Sequence, residues 1–303
     1  MAEPSVQRVK STTLTNRNRE KPAMPPDPAA LAIARAAHGS VHYSAVILFG
    51  SRAAGTHRPD SDVDLMLVSP KSPIAEHSRA NRAIAKHMAD NPPPLRVEIV
   101  PMSMEEFNYC RRAKNHVAGQ AFRKGIIMGN ERLDFSGNYE DKYPDNWPDI
   151  RDHLAATHRF LGAFQREYDH PDGAQEIWAF HGQQAVENAL KGWISAAGLE
   201  YSGVHDLESI GKSVLEDETE SRTLAAAQLR ILLDYSTVPD PGEPEQTVNW
   251  LSRYGAWYRY HSSSYSMNDN EKTEFADQII MAALTFMNRA QEISGTTDDD
   301  LRQ

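Results

Sequence analysis

The chain has 303 residues, 40% of them hydrophobic, enough for an ordinary core and for two domains. No apolar run approaches the length of a membrane span, the N-terminus lacks the apolar centre of a signal peptide, and the single cysteine, Cys110, excludes an intrachain disulfide; a cytoplasmic protein that does not enter the membrane is the expectation. The net charge of −10 is uneven, because residues 1–145 carry 20 Lys and Arg against 16 Asp and Glu (+4) and residues 146–303 carry 12 against 26 (−14). The acidic half argues against a sequence-independent grip on nucleic acid, which relies on clustered Lys and Arg, and the mildly basic half suits a polyanion such as a nucleotide.

Residues 1–26 are polar and read as a disordered arm. Asp27-Pro28 has the form of a helix cap with a first-turn proline and opens a short helix through Ala37. A first strand covers Ala45–Phe49 and a second Asp62–Val68, both rich in branched apolar residues. A helix over Ile74–Ala89 must stop at Pro92-Pro93-Pro94, and a third strand follows over Leu95–Val100. Ser103-Met-Glu-Glu106 has capping-box spacing and starts another helix, and Gly125–Gly129 reads as a short closing strand. The alternation predicts a compact α/β domain over residues 27–130 with a mixed sheet and helices.

Residues 131–146 are polar, contain Gly137 and Pro144, and read as a linker. No strand-like alternation follows. Apolar residues recur at helical spacing in Asp152–Tyr168, Ala174–Ala197, Asp206–Leu215, Arg222–Tyr235, a segment around Trp250–Tyr260, and Lys272–Ile293. Residues 147–295 are therefore expected to be all-α, a helical bundle, with 296–303 as a tail.

The chemistry is concentrated in residues 49–65. Gly50-Ser51 closes the first apolar run, and Asp62 and Asp64 open the second at alternate positions. Alternate positions of a strand share a face, so the two carboxylates converge. Converging hard oxygens suit Mg²⁺, which is commonly held by one or two carboxylates together with substrate phosphates. The Gly-Ser turn offers backbone N–H groups and a hydroxyl to a polyphosphate, at a point where a helix begins. In Leu95-Arg96-Val97-Glu98-Ile99-Val100, Val97 and Ile99 take one face and Glu98 the other.

Gly50-Ser51, Arg52, Gly55, Ser61 and the Asp62-x-Asp64 pair together resemble the polymerase-beta-type nucleotidyltransferase superfamily, in its minimal branch. The resemblance implies transfer of a nucleoside monophosphate, AMP, from a nucleoside triphosphate such as ATP to a hydroxyl acceptor. It implies Asp62, Asp64 and Glu98 as catalytic carboxylates and ligands of two Mg²⁺ ions, and Gly50, Ser51 and Arg52 as the nucleotide-binding residues. The family's third carboxylate is most often Asp, and Glu98 is one methylene longer.

The second half resembles the HEPN family, small helical domains often paired with minimal nucleotidyltransferases. The resemblance rests on residues 180–191 (Phe180-His181-Gly-Gln183 through Asn188-Ala189-Leu190-Lys191), on Gly198-Leu199-Glu200-Tyr201 and His205-Asp206-Leu207, and loosely on residues 253–260. HEPN ribonucleases carry Arg, four to six residues, then His; here Arg253 and His261 are separated by seven, so the nuclease signature is absent. His181 and His205 read as packing histidines.

The two resemblances together imply a fused HEPN/nucleotidyltransferase toxin–antitoxin-type protein that adenylylates a protein tyrosine. Three alternatives stay open: a small-molecule transferase of the aminoglycoside kind, a non-catalytic nucleotide-binding module, and a HEPN ribonuclease. Trp250, Tyr254, Trp257, Tyr258 and Tyr260 crowd one short segment, and aromatic enrichment of this kind points to an interface core. A homodimer through the helical domain is expected from it.

Overall fold

The computed structural model describes residues 25–42, 44–70, 73–91, 95–129, 143–170, 173–239, 247–249, 251–252 and 268–302. The expected arm up to residue 24, most of the linker, and the aromatic segment from Tyr254 to Tyr260 with Trp250 lie outside them. The chain divides into two compact units, one formed by residues up to 104 with 120–134, the other by 105–119 with 135–303.

The first unit is built on a four-stranded mixed sheet. Helix α1 (Pro28–Ser40) starts as expected, with the Asp27 carboxylate accepting the Ala29 N–H at 3.0 Å and proline in the first turn. Strands β1 (Ala45–Phe49) and β2 (Val63–Ser69) are joined through a five-residue helix α2 (Gly50–Ala54). Helix α3 (Pro73–Asp90) leads to β3 (Val97–Ser103), and β4 (Ile126–Met128) completes the sheet in the order β3-β2-β1-β4. Only the β2–β3 pair is parallel, and α3 is the crossover that parallel pairing needs.

One face of the sheet is closed by α1 and α3. Val46 and Leu48 of β1 and Val63, Leu65 and Leu67 of β2 pack there against Ile33, Ala34, Ala37, Ala80 and Ile84. By the two-residue alternation of a strand, Asp64 and Glu98 project from the opposite face. Between β3 and β4 the chain forms α4 (Met104–Cys110) and α5 (Val117–Lys124). The second of these was not legible beforehand; Gly119 inside it weakens helical propensity and hid the pattern.

The second unit is helical. Its long members are α6 (Trp147–Tyr168), α7 (Gln175–Ala196) and α10 (Asp269–Ser294), with α8 (Leu207–Glu216) and α9 (Leu224–Tyr235) alongside. Helix α7 is the spine: Ala185, Val186, Ala189, Leu190, Trp193 and Ile194 are all fully buried. Small residues let neighbours approach it, and a Cβ on Gly192 would stand 2.9 Å from Leu154 Cδ2. Glu220, in a short 3₁₀ turn (Glu220–Arg222), accepts from the Trp193 indole N–H at 2.7 Å and from Arg289 Nη2 at 2.7 Å and Nε at 3.0 Å. Helix α10 begins in a reciprocal Asn268–Glu271 capping box and ends at Gly295 in the left-handed region.

Two departures from the expected organisation are local. A three-residue ribbon, β5 (Thr237–Pro239) with β6 (Thr247–Asn249), interrupts the helices, too short to show alternation in the sequence. Residues 105–119 pack with the helical unit. There the Asn115 N–H donates to Asp149 Oδ2 at 3.0 Å, and its side-chain amide donates to Ser195 Oγ at 3.2 Å and to the Leu199 carbonyl at 2.9 Å.

Candidate active site

The three carboxylates singled out from the sequence are aligned on one side of the β2–β3 pair. Asp64 lies directly opposite Glu98 in the parallel β2–β3 register and opposite Phe49 in the antiparallel β1–β2 register. Asp62 precedes β2 by one residue and shares the parity of Asp64. Burial, then the Glu98 charge, then the Asp62 charge push the Asp64 carboxyl above the usual carboxylate range. Glu98 is exposed, whereas Asp64 is partly covered. Arg96 Nε stands 3.6 Å from Asp62 Oδ2, on a side chain that is 82% exposed, so its charge is largely screened by water. Arg96 was missed beforehand, although its place two residues from Glu98 puts it on the same strand face.

The Gly-Ser turn meets the carboxylates at the end of β1. Gly50 has φ +73°, a conformation that favours glycine, and a Cβ built on it would overlap Asp64 Oδ2 and lie 3.1 Å from Asp64 Cγ. Glycine is therefore required twice, by the turn and by the aspartate beside it. Ser51 follows as the next residue of α2, partly exposed.

Arg52 is placed differently from the expected phosphate ligand. It is 4% exposed, and its guanidinium is taken up by the protein: Nε donates to the Ser61 carbonyl at 2.9 Å, Nη2 to the Pro59 carbonyl at 3.2 Å, and Nη1 to the Asp27 carboxylate. Burial opposes ionisation of Asp27, but the hydrogen bonds from Arg52 and the Ala29 N–H outweigh it and hold the carboxyl below its usual range. Arg52 thus clamps the loop that runs from α2 to Asp62. Asp27 was read only as a helix cap; its second task as the counter-ion of Arg52 has no local signal in the sequence.

Residues 40–123 match the family model described as nucleotidyltransferase domain, and residues 150–293 match that of the HEPN domain. The chain is a nucleotidyltransferase–HEPN fusion. A search of curated proteins found no match to it. The nucleotidyltransferase match spans Gly50, Asp62, Asp64 and Glu98, and such domains use a nucleoside triphosphate and a divalent metal.

Among the described residues, no three His, Cys, Asp or Glu side chains stand close enough together to enclose a metal ion. The donor set nonetheless fits Mg²⁺. It is made of hard carboxylate oxygens, and after burial it is the Glu98 and Asp62 charges that raise the Asp64 carboxyl. An open carboxylate pair completed by substrate phosphates is the usual form of a magnesium site.

In the HEPN domain of the fusion, the stretch that carried the resemblance forms a polar network on α7. Glu187 accepts from Lys191 Nζ at 2.7 Å and Gln183 Nε2 at 2.7 Å, and His205 Nδ1 lies 3.0 Å away. Burial opposes its charge, yet these partners hold its carboxyl below the usual range. His153 bridges Asn188 at 3.1 Å and the Tyr201 hydroxyl at 2.7 Å. Arg253 and His261, the pair weighed for ribonuclease spacing, lie outside the described residues. No helix among the described residues is long and apolar enough to cross a membrane.

Proposed function

We propose that this fusion transfers AMP from ATP to a protein tyrosine hydroxyl, in a HEPN/nucleotidyltransferase toxin–antitoxin-type system. The observation that carries the reading is the register of Asp64 against Glu98, with Asp62 two residues away and Gly50 pressed on the Asp64 carboxylate. Adenine and tyrosine enter through the family resemblance.

In this reading Asp62 and Asp64 would hold Mg²⁺, with Glu98 as a further ligand. When bound, the metal offsets the charge of the entering and leaving oxygens of an in-line displacement. The Gly50 and Ser51 backbone and the Ser51 hydroxyl bind the β- and γ-phosphates. Glu98 accepts the proton of the acceptor hydroxyl as its oxygen bonds to the α-phosphorus, and the bond from that phosphorus to the bridging oxygen breaks to release pyrophosphate. Arg52 acts at one remove, by fixing the loop that carries Asp62. Little covalent work falls to the protein, so positioning and electrostatics supply most of the acceleration. The helical domain forms a homodimer, which would let one chain modify its partner.

The test is incubation of the full chain with Mg²⁺ and each labelled nucleoside triphosphate, followed by intact-mass and peptide analysis. The expected result is a gain of one adenylyl group on tyrosine, absent in Asp64→Asn. Transfer only to an added aminoglycoside would replace the protein acceptor with a small molecule. No incorporation from any triphosphate into either acceptor would refute the reading.

A further inference from the structure

Strands β2 and β3 carry four charged residues in two adjacent rows. Asp64 faces Glu98 in the parallel register. Asp62 and Arg96 form the next row, where the Val63 N–H donates to the Arg96 carbonyl at 2.9 Å. Alternate residues of a strand share a face. Val63, Leu65, Val97 and Ile99 take the face closed by α1 and α3, so the four charged residues share the other. The second row meets through its side chains as well, with Arg96 Nε 3.6 Å from Asp62 Oδ2.

We propose that Arg96 binds the α-phosphate of the nucleoside triphosphate and stabilises the charge that gathers on it during transfer. The proposal rests on the transfer reading above and adds a residue to its site. The Gly50 turn meets Asp64 from the β1 side, and Glu98 and Arg96 flank the aspartates on the β3 side. A triphosphate whose β- and γ-phosphates lie at Gly50 and Ser51 therefore runs towards β3. Its α-phosphorus has to meet a hydroxyl beside Glu98, which brings it over the block of four charged residues. Neighbouring strands are about 4.8 Å apart, and residues two apart on a strand about 6.7 Å. A phosphate over the middle of the block is thus within the span of an arginine side chain.

Charge and exposure single out Arg96. The arginine of the sequence pattern, Arg52, is 4% exposed, and its charge is offset by Asp27. Gly50 and Ser51 carry no charge. Among the described residues, the one ion pair made by Asp62, Asp64 or Glu98 is that with Arg96. A guanidinium can give a phosphate two parallel N–H bonds, which a point charge cannot. The Arg96 side chain is 82% exposed, and an exposed pair of this kind is worth little. Arg96 therefore leaves Asp62 at small cost when that carboxylate turns to a metal. If Arg96 served only as the counter-ion of Asp62, its removal would strengthen cation binding and leave nucleotide binding unchanged.

The test uses the full chain with Mg²⁺ and α,β-methylene ATP, which cannot be cleaved between its first two phosphorus atoms, in isothermal titration calorimetry. Arg96→Ala should bind this analogue about tenfold or more weakly, the scale of a lost hydrogen bond to a charged group. Arg96→Lys keeps the charge without the planar fork and should fall between the two. Circular dichroism checks the fold, and Arg96→Gln replaces the alanine variant should that one misfold. In transfer, the wild type should react at different rates with the two α-thio diastereomers of ATP, and Arg96→Ala should narrow that ratio by about tenfold. Unchanged affinity of the alanine variant for the analogue, with or without tighter binding of Mn²⁺ alone, would reduce Arg96 to a counter-ion and overturn the proposal. An unchanged diastereomer ratio, or a wild type that does not bind the analogue, would overturn it too. Binding is read without turnover, so a chain that holds the analogue through Arg96 yet transfers nothing would refute the proposed reaction and leave this contact standing.

Discussion

Replacing Gly50 by alanine separates backbone strain from active-site geometry. At φ +73° an alanine pays a left-handed penalty of about 1 kcal/mol. The added methyl overlaps Asp64 Oδ2, the free end of a side chain that can swing aside, so the clash itself should add little to the loss of stability. The carboxylate must withdraw by roughly 1 Å to restore van der Waals contact, and a misplacement of that size costs on the order of 10²-fold in rate. Gly295 is the internal control: its φ is +65° and no atom lies within 4 Å of an added Cβ. Gly295→Ala should therefore lose a similar stability in urea or thermal unfolding while keeping full transfer. Gly50→Ala should unfold like Gly295→Ala but transfer AMP about 10²-fold more slowly. Wild-type transfer by Gly50→Ala would refute the contact between the turn and Asp64 as a condition of catalysis.

The other predictions address the neighbouring groups. Asp64→Asn and Asp62→Asn should each abolish transfer with the fold intact; Asp64→Asn should also raise the melting temperature at neutral pH. The sign follows from linkage: a carboxyl raised in the folded state costs stability while ionised, and that cost fades as pH falls through the raised value. A lower melting temperature would contradict it. Glu98→Asp should retain more activity than Glu98→Gln, measured as initial rate across pH; full activity of the glutamine variant would remove Glu98 from the mechanism. Arg52→Met should cost about 3 kcal/mol in denaturant unfolding, because it strands the Asp27 carboxylate. Asp27 is held below its usual range, so its contribution is complete above the unfolded carboxyl value and vanishes as pH falls through the folded one; a wild-type–variant gap that does not narrow in acid would count against the pair. Light scattering should give a dimer that Trp257→Ala dissociates, and a monomer at all concentrations would end that assignment.

Much of the fold could be read because single residues announce it. Asp27-Pro28 and Asp206 mark helix starts, and both side chains accept hydrogen bonds in their helix's first turn. Asp64 stands out as the charged residue of an otherwise buried apolar strand, and parity alone aligns Glu98 with it. Legibility stops where structure depends on distant partners. Arg52 follows Gly-Ser in the pattern, yet its orientation is decided by Asp27, twenty-five residues away. The β5–β6 ribbon has three residues per strand, too few for a periodic signal. The placement of residues 105–119 depends on Asn115 finding Asp149, Ser195 and Leu199, contacts that no local propensity encodes.

That placement bears on whether the two halves can exist as separate polypeptides. The chain passes from one unit to the other at 104/105, at 119/120 and again at 134/135. A cut anywhere in 135–146 leaves the first fragment owning 105–119, a piece of the second unit's interior. The cut ends would be released as a nicked pair held together by Asn115, rather than as two free domains. A genetic split at the same point would yield two gene products that must associate to finish folding, with the first lending a segment to the second. Independent production of the helical half would need residues 105–119 supplied, either grafted ahead of Trp147 or added as a peptide.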